Sequence, residues 1–486
     1  MNVQVEVISK EIIKPSSPTP NPLRHYKLSF LDQLTPPSYT SLVFFYEFNG
    51  ETQPAINEVS KKLKKSLAKV LTLFYPLAGR VKIDDHFVDC NDEGIAYLEA
   101  QVTNCRLCDF LNNPLPDELN KFIPFAQDEH IANEIALGVQ LNMFEGGFAI
   151  GLCTSHKLAD LLCMLMFTKT WAAIARDEVE IQRPQYVSAT LFPPKGITSY
   201  NWGAGIATKK VTKRFVFDAS TIEDLRAKYT GLQNGEKQPS PVEALSAFMW
   251  RRFVEATKDD HADENKLHSL IHSVDLRPLI DPPLSPYSFG NIYGNSLTAP
   301  FLSSGDDDDG DQESSYGMVR RVREAISKID KDFVKRLQHG DEQLSLIGRL
   351  AQSASKGEVV TSYHSSLCQF PLYDNDFGWG RPIWVSLPPL PVKDIIVFLD
   401  TKEPGGVEAY VSLAKEVMTK FESDTYLRRR VGTGRVGSAS SCLIHQPARF
   451  NQVVTFHTRN QASVIRKPTQ TKLMKLGSGS VCSVCF

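Results

Sequence analysis

The sequence predicts a protein of mixed strands and helices, divided into two or three domains. Three observations carry this. The chain has 486 residues, enough for two or three domains at the usual length of roughly 150 each. Short apolar runs of strand length alternate with helix-period stretches along the whole chain. Residues 191–208, opening near Phe192-Pro193-Pro194-Lys195 and rich in glycine and polar residues, read as a linker crossing between two halves.

Composition narrows the class. Hydrophobic residues make up 42% and charged residues 23%, with a net charge of -2; these are the values of a soluble globular protein. Nothing in that balance calls for nucleic acid or an anionic membrane. No apolar run reaches the roughly 20 residues of a spanning helix. The start, Met1 to Val7, alternates like a strand and lacks the basic and apolar blocks of a signal peptide. Nine cysteines, scattered and mostly within apolar runs, fit reduced core thiols better than a disulfide framework. These features predict a cytosolic protein.

Taken in order, residues 1–50 hold two strand-like pieces around the turn Pro15 to Pro20, the second being Ser41 to Tyr46. A helix follows, with Pro54 suited to its first position and Ile56, Val59, Leu63, Leu67, Val70 and Leu71 on one stripe. Lys61, Lys62, Lys64 and Lys65 fall largely off that stripe and read as a solvated face; attraction of a phosphate ligand is the alternative. Pro76 and Gly79 stop the helix, and Arg80 beside them is structural or ligand-binding. Ala136 to Phe144 and Phe148 to Thr154 read as paired strands joined by Glu145-Gly146-Gly147.

That hairpin leads into Ser155-His156-Lys157-Leu158-Ala159-Asp160, and a helix apolar on nearly every face follows from Leu161. A histidine at a strand-to-helix junction can face a cleft. There it can take the proton of an attacking alcohol, because its pKa lies near working pH. Asp160 shares a helical face with His156 if the helix begins at the junction. It then orients the ring, or it turns away into an ion pair. The plain alternative is that the segment only caps a buried helix.

In the second half, Val211 to Phe217 begins a new strand, and Ser240, Pro241 and Glu243 form the start signature of a helix. Ile271 to Val274 is strand-like and precedes Asp275-Leu276-Arg277. Ser366 to Tyr373 is strand-like and precedes Asp376-Phe377-Gly378-Trp379-Gly380, in which the glycines permit sharp turns around a large anchor. Ile395 to Leu399 and Val407 to Val411 are strands, and Ala414 to Phe421 a closing helix.

His-x-x-x-Asp followed at this distance by Asp-Phe-Gly-Trp-Gly resembles the plant BAHD acyltransferase family. Leu28 to Asp32, Phe74 to Arg80 and Val274 to Arg277 match it as well, and the resemblance covers residues 1–424. It implies an α/β protein with a two-domain chloramphenicol acetyltransferase-like fold, mixed sheets flanked by helices. The implied boundaries are 1–190 and 209–424, simplified because family members return a segment after the second motif to the first domain. The implied activity is transfer of an acyl group, acetyl by likeness to acetylating members, from acyl-CoA to a hydroxyl of a polycyclic terpenoid, limonoid or alkaloid. Acylation of an amine, or non-catalytic binding of small molecules, is the alternative. His156 is the implied catalytic base. Asp160 pairs with Arg277 to tie the domains together. Asp376, catalytic by pattern, is implied to be structural, or to support CoA binding, along with Gly378, Trp379 and Gly380. Acyl-CoA is a co-substrate, no cofactor or metal is held, and the expected form is a monomer whose partners are the acceptor and acyl-CoA.

Several segments stay outside that scheme. Cys105-Arg106-Leu107-Cys108 and Cys482-Ser483-Val484-Cys485 are too far apart in the chain to argue for zinc. The acidic run Asp306 to Asp311 lacks the twelfth-position glutamate of a calcium loop and reads as a surface loop. Residues 425–486 are basic, lack Asp and Glu, and read as a dispensable disordered tail. The formal dinucleotide fingerprint Gly432 to Gly437 has no convincing strand before it. No Gly-x-Ser-x-Gly elbow of a serine hydrolase occurs.

Overall fold

The computed structural model describes residues 2–48, 54–125, 134–196, 209–230, 237–258, 266–302, 311–339, 348, 359–432 and 436. The acidic run at 303–310, most of the linker and nearly all of the tail lie outside them.

The first half contributes strands β1 (Val5–Ile13), β2 (His25–Lys27), β3 (Tyr39–Glu47), β4 (Arg80–Lys82), β5 (Phe87–Asp89), β6 (Ile95–Arg106), β7 (Leu137–Glu145) and β8 (Gly147–Ser155). The second contributes β9 (Lys210–Phe217), β10 (Leu267–Asp275), β11 (Tyr293–Leu297), β12 (Phe301–Leu302), β13 (Val359–Ser366), β14 (Trp384–Ser386), β15 (Ile395–Asp400) and β16 (Val407–Ala414). One mixed sheet runs β1-β6-β7-β8-β3-β14, and the other runs β11-β10-β13-β15-β16-β9 with β12 against β10. A small separate sheet, β2-β5-β4, packs Tyr26, Val81 and Val88 into the first core.

β7 and β8 form the expected hairpin, with Gly146 at φ +90 in its turn. β8 is buried at every position because β7 and β3 flank it and helices cover its face. The helices Ile56–Leu73 and Leu161–Ala175 lie together in the core that holds Leu42, Phe44, Ile150 and Leu152. A second core gathers around the helix Pro241–Thr257, whose capping box of Ser240 and Glu243 is the one the sequence announces.

Four expectations shift. The first helix starts at Ile56, because Ala55 stays extended and leaves Pro54 before the helix. Two of its lysines are engaged: Lys64 pairs with Glu11 and Glu99, and Lys62 lies 4.5 Å from the Trp379 ring. The strand expected over Ser366 to Tyr373 instead ends at Ser366, where Gln369 at φ +72 and Pro371 break extended pairing. The tail expected to be disordered from 425 begins with a helix, Thr425–Arg428. Asp424 caps it, and Leu427 is buried in the second core.

The returning segment is β14. It hydrogen-bonds to β3, and Trp384 stacks on Phe45 at 5.1 Å. Residues 384–386 therefore belong to the first sheet, inside the range 209–424 expected for the second domain.

Candidate active site

The site begins where β8 ends. Ser155 is paired with Tyr39, and the His156 amide donates to the Ser38 carbonyl at 2.8 Å. The chain then leaves the sheet in a turn, and the helix starts only at Leu161. His156 and Asp160 therefore do not share a helical face. Asp160 is the N-cap: its Oδ1 accepts from the Cys163 amide at 2.9 Å, as a short acidic side chain does at a helix start.

The other Asp160 oxygen is engaged by the second half of the chain. It lies 2.9 Å from Arg277 Nη2 and accepts from the Ile292 amide at 3.2 Å. Arg277 is 1% exposed. Its guanidinium also meets Asp275 at 3.1 Å and donates to the carbonyls of Ser288 and Gly290. The Cys163 thiol completes the contact at 3.3 Å, its pKa pushed up by burial. The implied Asp160–Arg277 pair is thus present, and it ties the end of the first sheet to the end of β10.

A second latch has no counterpart in the sequence reading. Asn291 Nδ2 donates to the His156 carbonyl and to Asp32 Oδ1, both at 2.8 Å, and the Asn291 amide donates to the same Asp32 oxygen at 2.8 Å. Asp32 Oδ2 accepts from the Ser29 amide and hydroxyl at 2.8 and 2.6 Å. Burial raises the Asp32 pKa to about 6, against the pull of these donors. Gly290 at φ +127 makes the approach possible; a Cβ there would lie 2.7 Å from Ser188 Oγ. Lys157, also buried, donates to the Gln33 carbonyl at 2.9 Å, and its pKa is driven down to about 8 by lost hydration. The Ser29-x-x-Asp32 spacing signals a cap, but a partner 259 residues away leaves no local signal.

His156 itself is 4% exposed. Burial pushes its pKa down to about 4, with the Asp160 charge pulling the other way. The imidazole is neutral at pH 7, the state a proton acceptor needs. Its ring centroid lies 6.2 Å from that of Tyr293 on β11.

The second motif lies elsewhere. Asp376 Oδ1 accepts from the amides of Gly378 and Gly380 at 2.6 and 3.0 Å, holding both glycines at φ +98. Phe377 is buried against Trp171 and Tyr46, and Trp379 packs edge-on against Phe148. Phe148 is the second residue of β8 and His156 follows its last, so roughly 25 Å of extended strand separates them. Asp376 is therefore remote from His156, and its carboxylate turns onto its own loop.

Two sheet-and-helix layers, with a neutral histidine between them and carboxylates turned outward to lock its backbone, define the chloramphenicol acetyltransferase-like class. The family model described as the Transferase family matches residues 3–428, and the chain belongs to this family, the BAHD acyltransferases. It is 34% identical to stemmadenine O-acetyltransferase of Catharanthus roseus, covering 87% of this chain and 97% of that protein. It is 36% identical to limonoid 21-O-acetyltransferase of Citrus sinensis over the same shares. The crystal structure of vinorine synthase superposes with a TM-score of 0.74 at 30% identity, covering 88% of this chain and 99% of that one. The crystal structure of F. graminearum TRI101 complexed with coenzyme A and deoxynivalenol shares the fold at a TM-score of 0.64 and 19% identity, covering 84% of this chain and 99% of that one.

Proposed function

We propose that the protein is an acyl-CoA-dependent O-acyltransferase that acetylates a hydroxyl of a polycyclic plant metabolite. The carrying observation is the neutral, buried His156, in a segment held by two latches, Asn291 on its carbonyl and Asp160 at the start of the helix that follows. As the acceptor hydroxyl attacks the thioester carbonyl, His156 takes its proton. The new C–O bond gives a tetrahedral oxyanion; the C–S bond then breaks, and the departing CoA sulfur recovers the proton from the same ring. Overall, ester and free CoA form from alcohol and thioester.

The acetyl group and the polycyclic alcohol are supported by the names of similar proteins, which act on stemmadenine and on a limonoid. In this reading Asp160, Arg277, Asn291 and Asp32 position the His156 segment, and Asp376, Gly378, Trp379 and Gly380 hold the far end of β8. This reading calls on no residue of a second copy and takes the protein to act as a monomer. Cys90, Cys163 and Cys368 are free thiols, and no helix among the described residues is long and apolar enough to cross a membrane; both support a cytosolic enzyme.

The test is mass spectrometry of purified protein and its His156→Ala variant with acetyl-CoA and a mixed panel of polycyclic alcohols and amines. Acetyl esters formed by the wild type alone are expected. Equal product from the variant would sink the mechanism.

A further inference from the structure

A cleft lies against the His156 segment, and Thr40, Leu161, Leu387, Leu390 and Val397 are among its lining residues, with Tyr39, Ser41 and two prolines. Its position follows from strand register. Ser38 holds the His156 amide, Tyr39 pairs with Ser155, and Thr40 pairs with Thr154. Leu161 opens the helix that follows the histidine. The opposite wall is the segment after β14 together with β15, which supplies Val397.

The chemistry of the wall is one-sided. Leu161, Leu387, Leu390 and Val397 belong to the buried core that the two sheets share. Among the described residues, no charged side chain lines the cleft. Of its three hydroxyls, Ser41 pairs with the Cys153 thiol and Tyr39 donates to the Ile135 carbonyl. Thr40 Oγ1 is buried and has no partner. A buried hydroxyl without a partner is costly, so the arrangement suits a ligand that brings an acceptor oxygen and a small apolar group together.

Size separates the two substrates. The free space admits little more than one water-sized group. A polycyclic skeleton does not fit, whereas a methyl group does. We propose that this cleft receives the acyl group of the donor thioester, with Thr40 donating to its carbonyl oxygen and Leu387 and Leu390 limiting it to acetyl. The proposal rests on the acyl-transfer reading above and adds the determinants of donor choice.

The experiment gives the full chain equimolar acetyl-CoA, butanoyl-CoA and benzoyl-CoA with the acceptor panel, and reads the ester ratio by mass spectrometry. Wild type is expected to favour acetyl over butanoyl by about tenfold or more, since a poorly fitting methylene costs about that much. Leu390→Ala is expected to shift the ratio toward butanoyl by about tenfold, and Leu387→Ala serves if that variant misfolds, as judged by circular dichroism. Thr40→Val, which keeps the shape, is expected to lower turnover with acetyl-CoA by about tenfold or more. Equal use of the three donors by wild type, or an unmoved ratio in folded, active variants, would overturn the proposal. No ester from any donor would instead overturn the acyl-transfer reading. Calorimetric binding of the three thioesters then decides on the cleft: weaker butanoyl-CoA binding that Leu390→Ala restores upholds it, and equal affinities reject it.

Discussion

Asp160 and Arg277 make an asymmetric pair, and the asymmetry can be measured. In Asp160→Asn the amide oxygen can keep the cap on Cys163. The amide nitrogen then replaces Oδ2, facing the Arg277 guanidinium and the Ile292 amide, both of them donors. Arg277 nevertheless keeps Asp275 at 3.1 Å and two carbonyls. No charge is left alone, so the loss is that of one charge-assisted hydrogen bond plus a donor–donor contact, about 2–4 kcal/mol. Arg277→Met is different. It leaves Asp160 and Asp275, both buried, without their shared cation, and the cost rises to about 5 kcal/mol. Urea unfolding followed by tryptophan fluorescence reads both. Asp160→Asn is expected to lower the midpoint by about 0.5–1 M, given slopes that grow with chain size, and Arg277→Met by more. A double-mutant cycle is expected to return a coupling above about 1 kcal/mol. An Asp160→Asn midpoint equal to wild type, or a smaller effect from Arg277→Met, would refute the reasoning. Lost activity at unchanged stability would show that Asp160 acts on the imidazole rather than on the backbone that carries it.

Acidification tests the buried histidines. His156 and His272 have pKa values near 4 in the fold, lowered by burial from an unfolded value near 6.5. The unfolded chain therefore binds more protons between these limits, and each imidazole costs on the order of 2 kcal/mol of stability by pH 5. Asp32 has the opposite sign: raised to about 6, it is protonated first in the fold and returns about 1 kcal/mol. Urea midpoints are expected to fall from pH 7 to pH 5; a rise would refute this. The acid limb of kcat/KM is expected below the ordinary histidine range while the fold persists, and a limb at 6.5 would count against the buried base. Asn291→Ala breaks the contacts to the His156 carbonyl and to Asp32. It is expected to cut kcat at least tenfold while coenzyme A affinity, read by calorimetry, holds. Ending the chain after Asp424 removes buried Leu427 and is expected to cost about 2 kcal/mol relative to ending it after Gly432; equal thermal midpoints would argue otherwise.

Much of the architecture was legible because its signals are local. The β7–β8 hairpin shows in its glycines, the helix from Pro241 in its capping box, and the chemistry in a histidine that follows a buried strand. The His156–Asp160 relation was only half legible. Four-residue spacing suggests a shared helical face, but a capping aspartate stops the helix from reaching back to the histidine. Asp32 and Asn291 were illegible as a pair, since only tertiary packing brings them together. The stretch after Ser366 misled for another reason. Its apolar residues are buried, but Gln369 and Pro371 spend them on turns rather than on a ladder. Asp376 resembles a catalytic carboxylate in isolation, and only its own glycine amides show what it holds.

β14 has a consequence for how the protein comes into being. Until residue 384 leaves the ribosome, the outer side of β3 has no partner, and Phe45 lacks the indole that stacks on it. A nascent first half carries an open, apolar sheet edge while the second half is still being made, the condition under which strands pair with wrong neighbours. The two halves therefore cannot mature as independent modules. Synthesis must run nearly to the end before the earliest sheet can close, and expressing the halves separately should give an aggregating amino-terminal piece that the carboxy-terminal piece rescues.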